Sequence, residues 1–271
     1  MTADLPAPAV TTLPPAAPVP PATSAFPAPR PTGRRLVTRD AVPAYLEPLV
    51  SRLDGSPLPV RVLHATGSAP DGARRSAVLI LLAEGREHRP GADPAEIHPD
   101  VLLTARATTL RSHAGQPAFP GGGFDPGEDA VAAAIREGRE ETGLDPSTVL
   151  PLAVFPQMYL RPSGFVVDPV LAHWRNPGPV RVMDPAETSA VVRVPVADLA
   201  DPGNRGVVRF RDFITPAFTV AGLVVWGFTA GLLDLLLDWS GWSQPWDRRR
   251  EIALDTEAVR LAEQARARVT S

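Results

Sequence analysis

An α/β fold is what the sequence predicts, and three observations carry it. Two short apolar runs rich in branched residues, Ser76–Ala83 ("SAVLILLA") and Val101–Ala107 ("VLLTARA"), have the length and composition of buried strands. A single stretch between Asp125 and Gly143 carries the start and stop signals of a helix. Strand-like runs then resume at Val149. The 271 residues suffice for one sizeable domain with appendages or two small ones, and a 44% hydrophobic composition supports a real core.

Along the chain, the first element is a tail. Ten of the 33 prolines fall within Met1–Gly33, a segment with few large apolar groups. It cannot bury enough surface to offset the entropy of ordering, so residues 1–35 are expected to be a disordered, Pro-rich tail. The segment lacks the basic start and unbroken apolar run of a signal peptide. Residues 36–75 are expected to form a helical extension: Thr38–Leu53 has helical apolar spacing, shortened or kinked by Pro43 and Pro48. The main domain follows over 76–240. In it, Glu84–Asp100 reads as a polar loop between the first two strands. After the helix, Val149–Leu160 and Gly164–Trp174 are strand-like runs separated by the turn signal "RPSG". Ser189–Leu199 gives a strand and a helical turn, and Gly206–Phe213 alternates like a half-exposed strand. Phe213–Leu233 is uncharged over 21 residues, long enough to span a bilayer. Thr215-Pro216, Thr219 and Gly222 interrupt it, and Asp234 and Asp238 punctuate what comes next, so a strand followed by an amphipathic core helix is the better reading. Residues 241–271 are expected to be a C-terminal helical extension of mixed charge.

The net charge of −3 offers no general attraction to nucleic acid or to an acidic membrane. All of the basic residues are Arg. With no Cys, disulfides, thiolate catalysis and Cys-type zinc sites are excluded, which suits a cytosolic protein.

The chemistry concentrates in Gly121–Leu144, "GGGFDPGEDAVAAAIREGREETGL". Asp125 and Asp129 are rival N-caps, and Gly143 is a natural stop. Placing Glu137 at zero on a helical wheel puts Glu141 ~40° to one side and Glu140 ~60° to the other. Three carboxylates therefore share a face, while Val131, Ile135 and Thr142 mark the expected core side. Arg136 and Arg139 point away from the acidic face on the same wheel. Exposed like charges repel only mildly. Divalent Mg²⁺ or Mn²⁺, which prefer oxygen ligands, would neutralise such a face and grip a pyrophosphate there. Gly121–Gly123 would let backbone approach closely and offer a carbonyl ligand.

This stretch resembles the Nudix box. The pattern maps onto Gly122, Glu128, Arg136-Glu137, Glu140-Glu141, Gly143 and Leu144, with one departure: Gly138 stands where a bulky aliphatic is usual. The resemblance implies an α/β/α sandwich around a mixed sheet and a hydrolase of nucleoside diphosphates linked to another moiety. It implies that Glu137, Glu140 and Glu141 are metal ligands, one doubling as base. Arg136 would position a Glu, Glu128 would act from the loop, and Gly122 would add a ligand. Glu187, in "DPAETSAVV", is a candidate accessory ligand or base from a distant loop, and a solvated loop acid is the equal alternative.

Upstream, Leu102–Gly122 resembles the additional signature of the coenzyme A pyrophosphatase branch, matching at Leu102, Leu103, Thr104, Arg106, Ala107, Arg111, Gly115, Phe119, Pro120, Gly121 and Gly122. The branch implies a coenzyme A-type nucleotide as substrate, with adenosine 3′,5′-bisphosphate and 4′-phosphopantetheine as products. Arg106 and Arg111 could bind the 3′-phosphate or the diphosphate, though one of them could instead pair with a box carboxylate. Phe119 and Gly121 complete the expected substrate contacts, and His113 reads as a loop residue. Rival expectations are a Nudix activity on NADH or ADP-ribose and a non-catalytic nucleotide sensor. Ser243–Trp246, "SQPW", resembles a motif of the NADH-cleaving branch but lies about a hundred residues past the box, too far to serve. No membrane and no nucleic-acid partner is expected. Homodimerisation is compatible with the sequence but not set by it.

Overall fold

The computed structural model describes residues 33–54, 69, 72–85, 99–107, 115–161, 163–210 and 213–254. Its centre is strand β2 (Arg74–Glu84), which comes after the short β1 (Arg34–Arg35) and helix α1 (Glu47–Leu53). Residues 77–83 of β2 are apolar and nearly all inaccessible, because both faces of the strand are covered. Its parallel partner is β8 (Phe165–Trp174), in register from Arg74↔Phe165 to Leu82↔His173. Antiparallel partners complete a nine-stranded mixed sheet in the order β1-β6-β8-β2-β3-β4, where β3 is Pro99–Arg106, β4 is Pro117–Ala118 and β6 is Val149–Val154. Three strands lie off this path. These are β5 (Gly121–Gly123) on β2, β7 (Met158–Leu160) on β8, and β9 (Thr188–Pro195) on β3.

Strand alternation sorts the core into two layers. Ala77, Leu79, Leu81 and Ala83 pack with Ala133 and Ala134 of helix α2 (Ala130–Thr142). Ile80 and Leu82 face the other way, toward Leu46, Leu49 and Leu53 near α1 and toward the leucines of the last helix. The result is the α/β/α sandwich that the resemblance implies. Helix α3 (Val196–Ala200) follows β9. A second, three-stranded antiparallel sheet then forms from β10 (Arg205–Phe210), β11 (Phe213–Val220) and β12 (Leu223–Trp226), and α4 (Gly227–Ser240) closes the domain.

Several expectations change in detail. Thr38–Leu53 does not form one helix. It breaks into two 3-10 turns, Arg39–Ala41 and Ala44–Leu46, before α1, with Pro43 ahead of the second and Pro48 in the first turn of α1. The expected half-exposed strand is buried over Arg205–Val208. The uncharged run resolves into β11, β12 and the first half of α4, and no helix among the described residues is long and apolar enough to cross a membrane. Helix α4 is buried nearly all round rather than amphipathic. Asp234, 1% exposed, faces inward and is ion-paired with Arg205, also 1% exposed. Ser243 accepts a hydrogen bond from Arg205, and the guanidinium stacks on the Trp246 ring. "SQPW" therefore packs around a buried ion pair. Residues 241–254 contain no helix and instead bridge back at Val207↔Glu251. Residues 1–32 and 255–271 lie outside the described residues, as does most of the Glu84–Asp100 loop.

Candidate active site

Helix α2 begins at Asp129, not Asp125: the Asp129 carboxylate accepts from the Ala132 N–H at 2.9 Å. Gly143 ends the helix in the left-handed region at φ 70°. The face against the sheet is Ala133, Ala134, Gly138 and Thr142, while Val131 and Ile135 are only half-buried beside it. A Cβ on Gly138 would lie 2.8 Å from Leu79 Cδ2 and 3.3 Å from Leu144 Cδ2. The space that an aliphatic side chain would fill is thus taken by two leucines, which accounts for the one departure from the box.

The glycines ahead of the helix are fixed by close approach. A Cβ on Gly121 would run into the Ala77 and Val78 backbone, so β5 can reach β2 only with glycine there. A Cβ on Gly122 would collide with the Glu137 carboxylate. The Gly121 N–H donates to Glu141 Oε2 at 3.3 Å. Pairing of Val78↔Gly121 and Ala77↔Gly122 therefore lays the glycine strand directly under the carboxylates of α2.

The three acids differ in setting. Glu141 is 9% exposed, and burial pushes its carboxyl up to about 7, against the opposing pull of Arg106. Glu137 is also raised, first by burial, with Glu140 and Glu187 adding repulsion. Glu140 is the exposed member, 58% accessible.

Arg136 corrects the wheel. Its guanidinium lies among the acids, not away from them. It donates to both Glu128 oxygens at 2.8 and 3.0 Å, to Glu137 and Glu140 at 2.9 Å each, and to the Gly123 carbonyl at 2.7 Å. A bonded arginine and the Asp125 N–H hold Glu128 below the usual carboxylate range. A long side chain with a five-donor fork reaches groups a wheel places apart.

Arg106 is a third exposed and stands 4.0 Å from Glu141, so it is both a carboxylate partner and an accessible cation. Glu187 comes to the site by a loop that a linear reading does not reveal. The Arg181 and Met183 N–H groups donate to the Thr142 and Glu141 carbonyls, and Met183 covers Gly143. The chain then crosses to β3, where the Ala107 N–H donates to the Glu187 carbonyl. The Glu187 charge is felt by both Glu137 and Glu141. Phe119 is a correction: it is 3% exposed within the main core and supports β5 from below instead of facing a ligand. Arg111 and His113 lie outside the described residues. One polar group was missed. Asp168, 4% exposed, pairs with Arg75 at 3.0 Å and accepts from Gln157, at the β2 end next to Phe124. An acid inside the apolar run "FVVDPV" was the available signal.

The donor set suits a hard divalent cation. Arg136 pairs with Glu128, Glu137 and Glu140 and Arg106 with Glu141, and the two most buried acids are nevertheless raised, first by burial and then by neighbouring carboxylates. Among the described residues no three acids already converge as a ready cage. Arg136 holds Glu137 and Glu140 instead, while on the glycine strand the Glu137 carboxylate lies against Gly122 and Glu141 accepts from the Gly121 N–H.

A family model described as "NUDIX domain" matches residues 73–211. Over 165 residues the chain is 36% identical to an "Uncharacterized Nudix hydrolase NudL" of Escherichia coli, covering 59% of this chain and 79% of the relative. A Cronobacter sakazakii protein of the same name is 35% identical over 168 residues, with the same coverage. Among solved structures, a Nudix hydrolase from M. smegmatis, RenU, is 20% identical with a TM-score of 0.42, over 65% of this chain and 91% of that one. A C. elegans Ap4A hydrolase complex is 20% identical with a TM-score of 0.36, over 46% and 82%.

Proposed function

The chain belongs to the Nudix family and is a hydrolase acting on pyrophosphate bonds; within that class, we propose that its substrate is coenzyme A or an acyl-CoA. The products are adenosine 3′,5′-bisphosphate and (acyl-)4′-phosphopantetheine. The observation that carries the reading is the juxtaposition of Arg106, from the upstream signature, with Glu141 of the box. An accessible guanidinium beside the reacting carboxylates would supply a charge-assisted bond to a substrate phosphate.

Glu137, Glu140 and Glu141, with Glu128 and the Gly122 carbonyl, would hold Mg²⁺ or Mn²⁺. Bound there, the metal supplies charge for the diphosphate and lowers the pKa of attacking water. Arg136 keeps Glu137 and Glu140 aligned from the helix side. Gly121 orients Glu141 through its N–H. Glu187, exposed and close enough to act on both buried acids, takes the accessory role of ligand or base. Arg111 joins Arg106 in the phosphate-binding assignment. The catalytic unit is taken as residues 76–240, and a cysteine-free chain suits the cytosol.

The test is turnover with Mg²⁺ or Mn²⁺ on CoA, dephospho-CoA, NADH and ADP-ribose. CoA is expected to be preferred, and Arg106→Ala to reduce that preference. Faster cleavage of NADH or ADP-ribose than of CoA would overturn the substrate assignment, and full activity in Glu140→Gln with Glu141→Gln would overturn the metal assignment.

A further inference from the structure

We infer that Ser189 is a positioning residue for Arg106, set in place by a β-bulge; this rests on the phosphate-binding role given to Arg106 above. The antiparallel β3–β9 ladder runs in even register from Asp100↔Pro195 to Ala105↔Ala190. Continued without a break, it would place Ser189 opposite Arg106. Instead Arg106 is opposite Thr188, and Ser189 is the extra residue on β9. The Ser189 hydroxyl shares its proton between the carbonyls of the two residues that flank the slip, Ala105 at 3.1 Å and Arg106 at 3.2 Å. The ladder is disrupted at a bulge, and here a side chain bonds the carbonyls on the facing strand.

Bulges recur beside active sites, where they re-aim a side chain, and this one lies under the cation of the site. Arg106 shares a strand face with Leu102, which packs in the α2 layer of the core. Its Nη1 stands 4.0 Å from Glu141 Oε1, with the side chain a third exposed. An arginine side chain is long, and its fork is pre-aimed at a phosphate only when the backbone beneath it is fixed. At Arg106 that fixing comes from two sides. Toward β4, its N–H donates to the Gln116 carbonyl at 3.2 Å, and its carbonyl accepts from the Gly115 N–H at 3.0 Å. Toward β9, the same carbonyl accepts from Ser189. One residue on, the Ala107 N–H donates to the Glu187 carbonyl at 2.8 Å. Without the slip, Thr188 would stand opposite Ala107. The bulge therefore sets both the aim of Arg106 and the point at which Glu187 enters the sheet. Ser189 is itself exposed, so its side chain is not there to fill the core.

The experiment is a double-mutant cycle on the full chain with Mg²⁺. It measures KM and kcat for CoA, or for the faster-cleaved of NADH and ADP-ribose should CoA not be the substrate. Ser189→Val and Ser189→Thr have the same branched shape, suit a strand equally and differ in the hydroxyl. Loss of a hydrogen bond of this kind corresponds to about threefold to tenfold, so Ser189→Val should raise KM by that factor. Its kcat should change by less than about twofold, because a phosphate contact serves ground state and transition state alike. Ser189→Thr should keep KM within about twofold of wild type, since its hydroxyl can make the same bond. Arg106→Ala should raise KM more than Ser189→Val does. Adding Ser189→Val to Arg106→Ala should then change KM by less than about 1.5-fold, because the residue it acts through is gone. Should Val disturb the bulge, seen as altered circular dichroism, Ser189→Ala carries the same expectation. An unchanged KM in Ser189→Val, a rise shared by Ser189→Thr, or an equal rise in the Arg106→Ala background overturns this inference and leaves the role of Arg106 intact. An unchanged KM in Arg106→Ala overturns both.

Discussion

Glu141 makes stability depend on pH in a direction opposite to that of most carboxylates. In the metal-free fold its carboxyl is pushed from 4.5 to about 7, chiefly by burial. Below pH 4.5 the group is protonated in both folded and unfolded chains, and the buried site costs nothing extra. As pH rises, the unfolded chain ionises first, so stability is lost progressively until the folded carboxyl ionises near 7. A shift of that size corresponds to about 3 kcal/mol, lost between about pH 4.5 and 7. For a chain of this length that is roughly 6–12 °C in Tm. Glu141→Gln keeps the shape and the acceptor for the Gly121 N–H but removes the titration. The assay is thermal unfolding in EDTA from pH 5 to 8 for both proteins. Subtracting one curve from the other isolates Glu141 from other titrating groups, including His173, whose burial lowers its pKa and acts in the opposite sense. Wild type should lose stability relative to Glu141→Gln as pH rises, and Mg²⁺ should restore it most at pH 8. Parallel curves in EDTA would refute both the buried-acid assignment and its link to cation binding.

Three further outcomes follow from the packing. Asp234→Ala leaves Arg205 charged at 1% exposure and should cost about 3–5 kcal/mol in denaturant unfolding, whereas Arg205→Met with Asp234→Leu should recover most of it. Gly122→Ala drives a methyl into the Glu137 carboxylate, so kcat/KM should fall about 100-fold while circular dichroism stays native. Gly138→Leu should destabilise by about 2 kcal/mol or more through its clash with Leu79, and adding Leu79→Ala should return much of that loss.

Local signals were the legible ones. The helix with its Gly143 stop, the three acids on one stripe, and the strands at Ser76 and Val101 all follow from spacing that depends only on near neighbours in the chain. The expectations that changed depend on what lies across space. Asp234 looked like a solvent-facing break in an apolar run because its partner is 29 residues upstream at Arg205. Phe119 reads as a ligand contact only because it matches the upstream signature, yet it follows directly on the β3–β4 pairing and packs in the core. The burial of β10 reflects a second sheet and a helix that no periodicity in the strand itself reports. For Glu187 the sequence left ligand and loop acid evenly balanced. The link from the helix end through Met183 to Ala107 is what brings it to Glu137 and Glu141.

The five-donor grip of Arg136 bears on the order in which the enzyme is made. A helix with acids at 137, 140 and 141 would otherwise have to dock on the sheet against its own repulsion until a metal arrived. Arg136 rides on the same helix and is always charged, so it acts as a resident placeholder, drawing Glu128, Glu137 and Glu140 together as soon as α2 forms. An always-charged partner on the same helix thus offsets the mutual repulsion of these acids within the folded chain itself.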